Sequence, residues 1–537
     1  MTPGKALAPK RPNVLWIVAE DMSANIPAFG DATIETPHLS RLANEGVCYD
    51  NFFTPAAVCA PARAAIATGM YPSRIAANHM RTGPWYYPNP SEQQIVAYSG
   101  QLPEGVPVYE AMPPVGTRMM SEVLREEGYY CTNNSKSDYQ FRASPLAWDE
   151  SGTSAHWRGR GSRQPFFSIF NLGVTHESQI WSRANEPLLV DEDLDVPVPP
   201  YLPDTVVGRR DIRRMYSNIK AMDNQVGSLM EQLEQDGLLE ETIIFWYTDH
   251  GGPLPRQKRL LYDSGMRVPM IIRFPGKINA DTRNDDLVSF IDLAATVHSI
   301  AGIEPSPLMD GQAFLGSYRD EEPARYVHAA ADRFDMQTDK IRAVRDSRFK
   351  YLRYYDQDKP FFLPVAYREQ MPIMRELHRL REAGELTVAQ RLWFRATKPG
   401  EELFDTESDP HELNNLADDP AHERKLKELR AECDRWLKDI EDLNLLPERD
   451  LIDRLWPDGR QPVAASPKIS IRNRSAVISC ATAGASLGYK IVRNGKEPPS
   501  WSIFTGPFSC RAGDLILAVS HRIGFKRGSA QQKVTLA

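Results

Sequence analysis

The chain has 537 residues, of which 42% are hydrophobic and 25% are charged, the ordinary balance of a folded protein. At this length we expect two to four domains rather than one small core. The net charge of −7 gives no basic excess of the kind that nucleic-acid-binding proteins show, although local basic sites for an anionic ligand are compatible with it. No apolar run approaches the roughly 18 residues that a membrane span requires.

Strands and helices alternate in the predicted first part of the chain, residues 11–320. Such alternation predicts an α/β domain with a largely parallel sheet. Ligands of these sheets bind at the carboxyl ends of the strands, where this sequence has Asp21, His176 and Asp249. The predicted strands cover 14–18, 129–132, 166–172 and 243–247. The predicted helices start at Thr36-Pro37, directly after Cys59, at Ser121 (121–127) and at Arg210 (210–235).

The pattern changes after about residue 320. Residues 321–457 predict a smaller α+β subdomain, with a strand pair over 340–355 and a helix over 421–442. A linker rich in proline, glycine and alanine follows at 458–467. Residues 468–537 then alternate with period two, which predicts a separate all-β module.

The six cysteines form no CxxC pair and no zinc-type spacing. Cys480 and Cys510 lie together in the last segment, and the sequence leaves a disulfide between them open. The first ten residues lack the apolar stretch of a signal peptide. Either the protein is cytoplasmic or the signal is missing from this sequence. We expect the latter, and hence a periplasmic or secreted protein.

The segment Cys59-Ala60-Pro61-Ala62-Arg63 is the sharpest local feature. It places a thiol just before a predicted helix, with Pro61 in the first turn. A helix N-terminus offers free N–H groups and positive potential, which suit a bound oxyanion. Arg63 adds a planar cation that can fork onto such a group. Taken alone, the segment fits a buried cysteine before an alanine-rich helix equally well.

The longer stretch CAPARAAIATGMYPSR resembles the signature of the formylglycine-dependent (type I) sulfatases, C-x-P-x-R followed by T-G. The resemblance runs from about residue 11 to 417 and is strongest to bacterial polysaccharide sulfatases. It implies an alkaline-phosphatase-like domain with a large, mostly parallel central sheet flanked by helices. It also implies that a formylglycine-generating maturation enzyme oxidises Cys59 to an aldehyde. The hydrated aldehyde would be the nucleophile.

Two residue pairs match the family's calcium site. Glu20-Asp21 stands where the family usually has Asp-Asp, and Asp249-His250 matches the second pair. Carboxylate oxygens from two strand ends suit Ca²⁺, which takes six to eight oxygen ligands. Glu20 departs from the usual aspartate, and His250 fits either a ligand or a residue behind one. An acidic pair at a strand end is otherwise most often a solvated turn.

The resemblance also assigns catalytic roles outside the signature. Lys136 and Lys258 would hold the sulfate together with Arg63, and His176 would protonate the leaving oxygen. The family usually has Lys-x-His at Lys136, whereas this sequence has Asp138 in place of the histidine, which puts a second proton-transfer role in doubt. Arg256 and Arg259 compete with Lys258 for its role.

Further residues are candidates for binding the organic part of the substrate. His79 and Arg333 fall at family positions of this kind, and each fits a structural role as well. Aromatic residues that could stack on sugar rings or simply anchor loops are Trp85, Tyr86, Tyr87, Trp148 and Trp157.

Together these features predict a hydrolase that cleaves sulfate esters of a sulfated carbohydrate or polysaccharide. Two alternatives stay open at this point. One is a phosphonate or phosphodiester hydrolase, which can share the fold and the signature. The other is a catalytically silent glycan-binding protein, suggested by Asp138 and the extra β-module, although the complete set of Cys59, Arg63, His176 and Lys258 argues against it.

Overall fold

A large mixed sheet is at the centre of the fold in the computed structural model, which describes residues 11–87 and 90–535. Its strands are β1 (Asn13–Ala19), β2 (Val47–Phe53), β3 (Tyr130–Asn134), β4 (Glu150–Ser151), β5 (Phe166–Leu172), β6 (Thr242–Thr248), β7 (Arg267–Arg273), β8 (Thr282–Asn284) and β9 (Val288–Ser289). Their spatial order is β4-β3-β5-β1-β6-β7-β2-β8, with β9 beside β2. Only β7 runs antiparallel to its neighbours, β6 and β2. The expectation of a large, mostly parallel sheet is confirmed.

Strand β1 is buried on both faces, as parallel strands usually are. Leu15 and Ile17 point into one core, whereas Val14, Trp16 and Val18 point into the other. This alternation, with apolar side chains on both faces, explains why the strand is a continuous apolar run in the sequence.

Helices cover both faces of the sheet. They are α1 (Pro37–Asn44), α2 (Cys59–Thr68), α3 (Glu92–Tyr98), α4 (Met120–Glu126), α5 (Ser178–Ser182), α6 (Val206–Gln235), α7 (Asp263–Met266) and α8 (Ile291–Ile300). Helices α1 and α6 contribute to the core on the Leu15 side. Helices α2, α4 and α8 contribute to the core on the Trp16 side. The site described below lies at one edge of this three-layer arrangement.

Two predicted boundaries move for identifiable reasons. Helix α6 begins at Val206 instead of Arg210, because the Thr205 hydroxyl accepts a hydrogen bond from Gly208 N at 3.2 Å and caps the helix there. Val47 continues the apolar spacing of α1 but belongs to β2. The chain turns at Gly46, where a Cβ atom would lie 2.5 Å from the carbonyl oxygen of Ile272.

A second, antiparallel sheet follows, with order β10 (Val327–Phe334), β11 (Gln337–Arg345), β12 (Phe349–Tyr354) and β13 (Glu401–Asp405). Strands β11 and β12 are the predicted strand pair. The helices of this part are α9 (Pro372–Ala383), α10 (Val388–Arg391), α11 (Glu423–Asp439) and α12 (Glu448–Leu455). Helix α11 matches the helix predicted over 421–442, with shorter ends.

The last part contains only strands, as predicted. They are β14 (Lys468–Arg472), β15 (Ser475–Ser479), β16 (Ser486–Val492), β17 (Ser502–Ile503), β18 (Phe508–Ser509), β19 (Leu515–His521) and β20 (Gly528–Lys533). Cys480 and Cys510 are both free, so the disulfide left open above is not formed. This β-module packs on the catalytic domain, since Ile523 joins the core on the Trp16 side and Arg125 donates to the Trp501 carbonyl at 2.8 Å. The boundaries 11–320, 321–457 and 468–537 stay predictions.

Within the described residues, no helix is both long enough and apolar enough to cross a membrane. The ten N-terminal residues, which bear on the expected signal peptide, lie outside the described part of the chain.

Candidate active site

Four adjacent parallel strands end at one edge of the central sheet, and each carries a predicted site residue just beyond its end. The strands lie in the order β3-β5-β1-β6. Lys136 follows β3, His176 follows β5, Asp21 follows β1 and Asp249 follows β6. The parallel order therefore brings together residues that are more than 200 positions apart in the sequence. Such an edge is the usual ligand site of an α/β sheet.

Cys59 is the first residue of α2, so the helix starts at the thiol and not after it as the sequence predicted. Val58 precedes it in an extended conformation, and all ten residues of α2 are buried. Small alanine side chains let the helix sit close to the sheet. The Cys59 side chain is consequently held at a helix N-terminus, where backbone N–H groups favour negative charge.

Charged groups around Cys59 govern its ionisation. Burial opposes the thiolate, but the ammonium groups of Lys136 and Lys258, together with hydrogen bonds from His176 and His250, lower the pKa of Cys59 well below its usual value. The pocket therefore stabilises negative charge at this position. The same environment would stabilise an anionic oxygen attached to the carbon of residue 59.

Arg63 lies one turn along α2 and makes two side-chain contacts at the sheet edge. One terminal nitrogen donates to Asp249 Oδ2 at 3.0 Å, and the other donates to Asn171 Oδ1 at 2.5 Å. Asn171 is in turn held by Asn133, whose Oδ1 accepts from Asn171 Nδ2 at 3.1 Å. The guanidinium is therefore oriented by residues of β3 and β5 and by Asp249, which follows β6.

Two lysines contact different carboxylates of the cluster. Lys136 Nζ donates to Glu20 Oε2 at 2.7 Å, and Lys258 Nζ donates to Asp21 Oδ2 at 2.6 Å. Burial opposes the charge of Lys258, but Asp21 raises its pKa above the usual range. Both ammonium groups are therefore charged and available to an anion.

His176 lies beside Lys258 in the loop after β5. Its Nε2 atom is 3.4 Å from Lys258 Nζ and 4.0 Å from Asp21 Oδ2. Its Nδ1 atom is 2.9 Å from the hydroxyl of Ser178, which orients the ring. The Nε2 edge thus faces the cluster that contains Cys59, as a proton donor to a substrate would.

The candidate metal ligands lie close together. The donor atoms of Asp21, Cys59, Asp249 and His250 lie within 4.8 Å of one another, and those of Glu20, Asp21 and His176 form a second such group. Burial disfavours the imidazolium of His250, yet the carboxylates of Asp249 and Asp21 raise its pKa to about 10. Without a metal the imidazole is therefore protonated at neutral pH, and it would have to lose this proton to act as a ligand.

An unsatisfied buried atom tests whether a metal fits. Asp21 Oδ1 and His250 Nε2 are buried 3.0 Å apart, and neither atom makes a hydrogen bond of standard geometry with any described residue. Buried polar atoms are nearly always paired, so such a pair of atoms suits a bound ion. Three carboxylates offer the hard oxygens that calcium prefers. The residues that would hold it are Glu20, Asp21, Asp249 and His250.

His79 and Arg333 lie together but differ in whether they have polar atoms free to bind a substrate. His79 Nδ1 accepts from Arg333 N at 3.3 Å, and its buried Nε2 has no partner among the described residues. Burial lowers the pKa of His79 to about 3, so the ring is neutral. Arg333 donates to Glu448 and to the carbonyls of Met80 and Asp335. Its guanidinium is fully engaged within the protein, and substrate contact by either residue stays a prediction.

Asp138, the residue that replaces the expected histidine, is buried next to the site. Burial raises its pKa, and the nearby Arg81 and Lys136 partly oppose this. Arg81 was not singled out in the sequence. It has a backbone φ of 57°, and its buried Nε has no partner among the described residues. The two side chains flank the reaction centre on the side of Lys136.

Sequence reasoning also missed an ion pair behind the site. Arg259 donates to both oxygens of Glu177, at 2.9 and 2.6 Å, and Glu177 N donates to Asp21 Oδ2 at 2.7 Å. Glu177 further contacts Lys258 Nζ at 3.1 Å. Burial opposes ionisation of Glu177, but the charge of Arg259 lowers its pKa to about 2. Glu177 directly follows His176 in the sequence, and Arg259 directly follows Lys258. This adjacency was the signal that could have identified the positioning pair from the sequence.

The aromatic residues divide into two classes. Trp85, Trp148 and Trp157 are buried and anchor their loops. Tyr86 and Tyr87 are exposed, with ring centroids 4.5 Å apart. Only the two tyrosines among these five residues have the exposed faces that sugar stacking needs.

Comparison with known proteins agrees with this geometry. The family model described as Sulfatase matches residues 12–131 and 155–303, and the model of the N-sulphoglucosamine sulphohydrolase C-terminal part matches residues 256–370. The chain is 51% identical to an ulvan-active sulfatase of Formosa agariphila, over 98% of this chain and 91% of that protein. It is 24% identical to the N-sulphoglucosamine sulphohydrolase of Homo sapiens, over 79% of this chain and 89% of that protein.

Solved structures share the fold. A protein in complex with its substrate, D-glucosamine-2-N,6-O-disulfate, matches with a TM-score of 0.55 and 15% identity, over 80% of this chain and 98% of that chain. The phosphonate monoester hydrolase of Agrobacterium radiobacter matches with a TM-score of 0.51 and 17% identity, over 79% and 96% of the two chains. The sheet order, the helix that begins at Cys59 and these matches together place the chain in the sulfatase family of sulfuric ester hydrolases.

Proposed function

We propose that this protein hydrolyses sulfate esters of a sulfated polysaccharide, with a formylglycine made from Cys59 and a bound calcium ion. The observation that carries the proposal is the position of Cys59. It is buried at a helix N-terminus, next to a cluster of carboxylates and within the field of Lys136 and Lys258. Burying several charged groups around one thiol is energetically unfavourable, and a purely structural cysteine does not require it.

The similarity to an ulvan-active sulfatase, at 51% identity over nearly the whole chain, supports a sulfated polysaccharide as the substrate. The exposed pair Tyr86 and Tyr87 supports a carbohydrate too, because aromatic faces stack on sugar rings. A protein that acts on such a polymer would meet it in the periplasm or outside the cell, which agrees with the expected localisation.

The formylglycine and the calcium ion would supply different parts of the chemistry. As a hydrated aldehyde, residue 59 offers one hydroxyl for attack on sulfur and a second whose proton loss releases the sulfate. Calcium, when bound, polarises the sulfate and orients the nucleophile. Because the Cys59 side chain is buried in the folded site, the maturation enzyme would have to act before the catalytic domain closes around it.

The cations of the site would hold the sulfate group. Arg63, Lys136 and Lys258 are each paired with a different carboxylate and would neutralise the sulfate oxygens, which otherwise repel an incoming anion. Their positions are set in advance by Asp249, Glu20 and Asp21. Little rearrangement is therefore needed when the substrate binds.

His176 would donate a proton to the leaving sugar oxygen. Its Nε2 faces the cluster, and Ser178 holds the opposite edge of the ring. Lys258 lies beside it and can contact the same bridging oxygen. Glu177, which is paired with Arg259, helps to hold His176 and Lys258 in place. Its backbone N–H donates to Asp21, and its carboxylate contacts Lys258 Nζ.

The experiment that tests the proposal combines mass spectrometry with turnover. The peptide containing Cys59 should carry an aldehyde in protein made together with a maturation enzyme. Cys59→Ala should be folded and inactive on sulfate esters, whereas Cys480→Ala, which alters a cysteine of the β-module, should be active. Turnover by Cys59→Ala at the wild-type rate would refute the mechanism. Faster cleavage of phosphonate esters than of sulfate esters would instead favour the alternative hydrolase.

A further inference from the structure

A small cleft separates the catalytic domain from the β-module. Its lining includes Arg142 and Pro145 of the loop after β3, and His521, Phe525 and Arg527 of the module. The cavity volume is about 140 Å³. This is enough for one charged substituent of a sugar but not for a whole oligosaccharide.

The basic side chains of this cleft have few partners. His521 and Arg527 form no side-chain hydrogen bond or ion pair with the described residues, and the one ion pair of Arg142 is a 3.4 Å contact between its Nε and Glu110. None of the described residues that line the cavity is acidic. In a chain of net charge −7, a cleft lined by an unpaired guanidinium and by a second one whose carboxylate partner lies outside the lining suits an anionic ligand.

The imidazole of His521 adds a neutral polar group to the two cations. Burial, with Arg527 and Arg142 nearby, lowers the pKa of His521 to about 4. At neutral pH the ring can therefore donate a hydrogen bond without adding a third charge. Fork-shaped guanidinium groups match the oxygens of a carboxylate or a sulfate.

Neighbouring aromatic residues lie beside both the cleft and the reaction centre. The guanidinium of Arg142 lies 5.1 Å from the ring centre of Trp85, and that of Arg81 lies 6.0 Å from the ring centre of Tyr86. Arg81 lies close enough to Cys59 to interact with its charge, and Tyr86 and Tyr87, which directly follow Trp85 in the chain, are exposed. The loop that bears Arg142 also bears Lys136.

We propose that the Arg142–His521–Arg527 cleft binds a sulfate or carboxylate group on a second sugar of the same glycan chain, while the scissile ester lies at Cys59. The intervening sugars would cross Tyr86 and Tyr87. This inference rests on the proposed function and adds to it a role for the β-module. The module completes an accessory anion subsite that selects a polymer over a small sulfate ester.

The test compares two substrates within each variant. We would measure kcat/KM on ulvan and on 4-nitrophenyl sulfate, and take the ratio of the two values. For Arg527→Gln the ratio should fall about two- to five-fold, as loss of one partly exposed ion pair implies. For the double variant Arg142→Gln, Arg527→Gln the ratio should fall further. The fall should come from a higher KM for the polymer. Lys526→Gln, which removes the neighbouring charge outside the cleft, should leave the ratio unchanged.

Chemically altered polymers identify the group that is bound. Desulfated and carboxyl-reduced ulvan would be compared as ligands of Cys59→Ala by affinity electrophoresis, with and without Arg527→Gln. If Arg527→Gln no longer weakens binding when the polymer lacks its sulfates, the cleft binds a sulfate. If it no longer weakens binding when the carboxyl groups are reduced, the cleft binds a carboxylate. Equal ratios and equal mobilities for wild type and both arginine variants would overturn the subsite. If the wild type cleaved neither ester, the proposed function would fail, and electrophoresis would still decide whether the cleft binds the polymer.

Discussion

His176 is the residue whose role depends most on the chemistry of the leaving group. A sugar alkoxide is a poor leaving group, whereas a nitrophenolate departs without a proton. We therefore expect His176→Ala to lower kcat/KM on a sulfated sugar about 10²–10⁴-fold, and to lower it far less on 4-nitrophenyl sulfate. Steady-state kinetics on both substrates measures the difference.

Ser178→Ala is the matched control for this prediction. It keeps the imidazole and removes the hydroxyl that lies 2.9 Å from Nδ1, so it should cause a smaller loss with the same substrate preference. An equal loss on both substrates in His176→Ala would mean that the histidine holds the sulfate or the nucleophile. Lys258, 3.4 Å away, would then be the first candidate for the acid.

Glu20, Asp21 and Asp249 lie close together at the strand ends, and a bound calcium ion would add to the stabilisation that their lysine and arginine partners provide. We expect removal of calcium by a chelator to abolish most activity and to lower the melting temperature. A ligand at 100 times its Kd stabilises the folded state by about 2.7 kcal/mol. Differential scanning calorimetry during calcium titration measures the shift. Asp249→Ala should lose the calcium-dependent part of the stability, and a metal-free wild type of full activity would contradict the site.

At the scale of elements, helix α6 carries a buried carboxyl group where it meets helix α9. Asp211 Oδ2 accepts a hydrogen bond from Ile373 N at 2.7 Å. Burial raises the pKa of Asp211 to about 7, against about 3.9 in an unfolded chain, and the hydrogen bond from Ile373 opposes only part of this rise. The folded state therefore binds this proton more tightly than the unfolded state does. The free energy of unfolding should consequently fall as pH rises from about 4 to about 7.

Asp211→Asn should remove this pH dependence, because the amide keeps an acceptor oxygen and cannot ionise. We expect the variant to be more stable than the wild type at pH 8, with each pKa unit of the shift worth about 1.4 kcal/mol. Thermal unfolding at pH 5 and pH 8 would measure it. Asp193→Asn, at an exposed site, is the control. A wild type and Asp211→Asn with parallel pH profiles would show that Asp211 has no such shift.

At the scale of the whole molecule, the β-module raises the question of independent folding. Residues 468–533 form their own antiparallel sheets, yet Ile523 packs into the core of the catalytic domain. We expect a chain that ends at residue 467 to fold, with a lower melting temperature because this apolar contact is lost. Circular dichroism and activity on 4-nitrophenyl sulfate would check it. An unfolded product would show that the module is an integral part of the catalytic core and that the boundary is wrong.

Much of the catalytic domain was predictable from the chain because its strands are continuous apolar runs that end in polar residues. β5 was predicted with its observed bounds, and β1 and β6 to within one residue at each end. The strands β2 and β7 were not predicted. Val47 continues the spacing of α1, and no local pattern shows that β7 reverses direction between β6 and β2.

The sequence by itself determined the family and the order of the polar residues at the strand ends, and it predicted Cys59 as the reactive residue, because these features are local motifs. Only the tertiary structure showed that Asn171 orients Arg63, that Arg259 pairs with Glu177, and that Arg142 faces the β-module. The partners in these contacts are 82 or more positions apart. Which side chains meet over such separations is set by the parallel order of the sheet and the packing of whole domains, which no local pattern records.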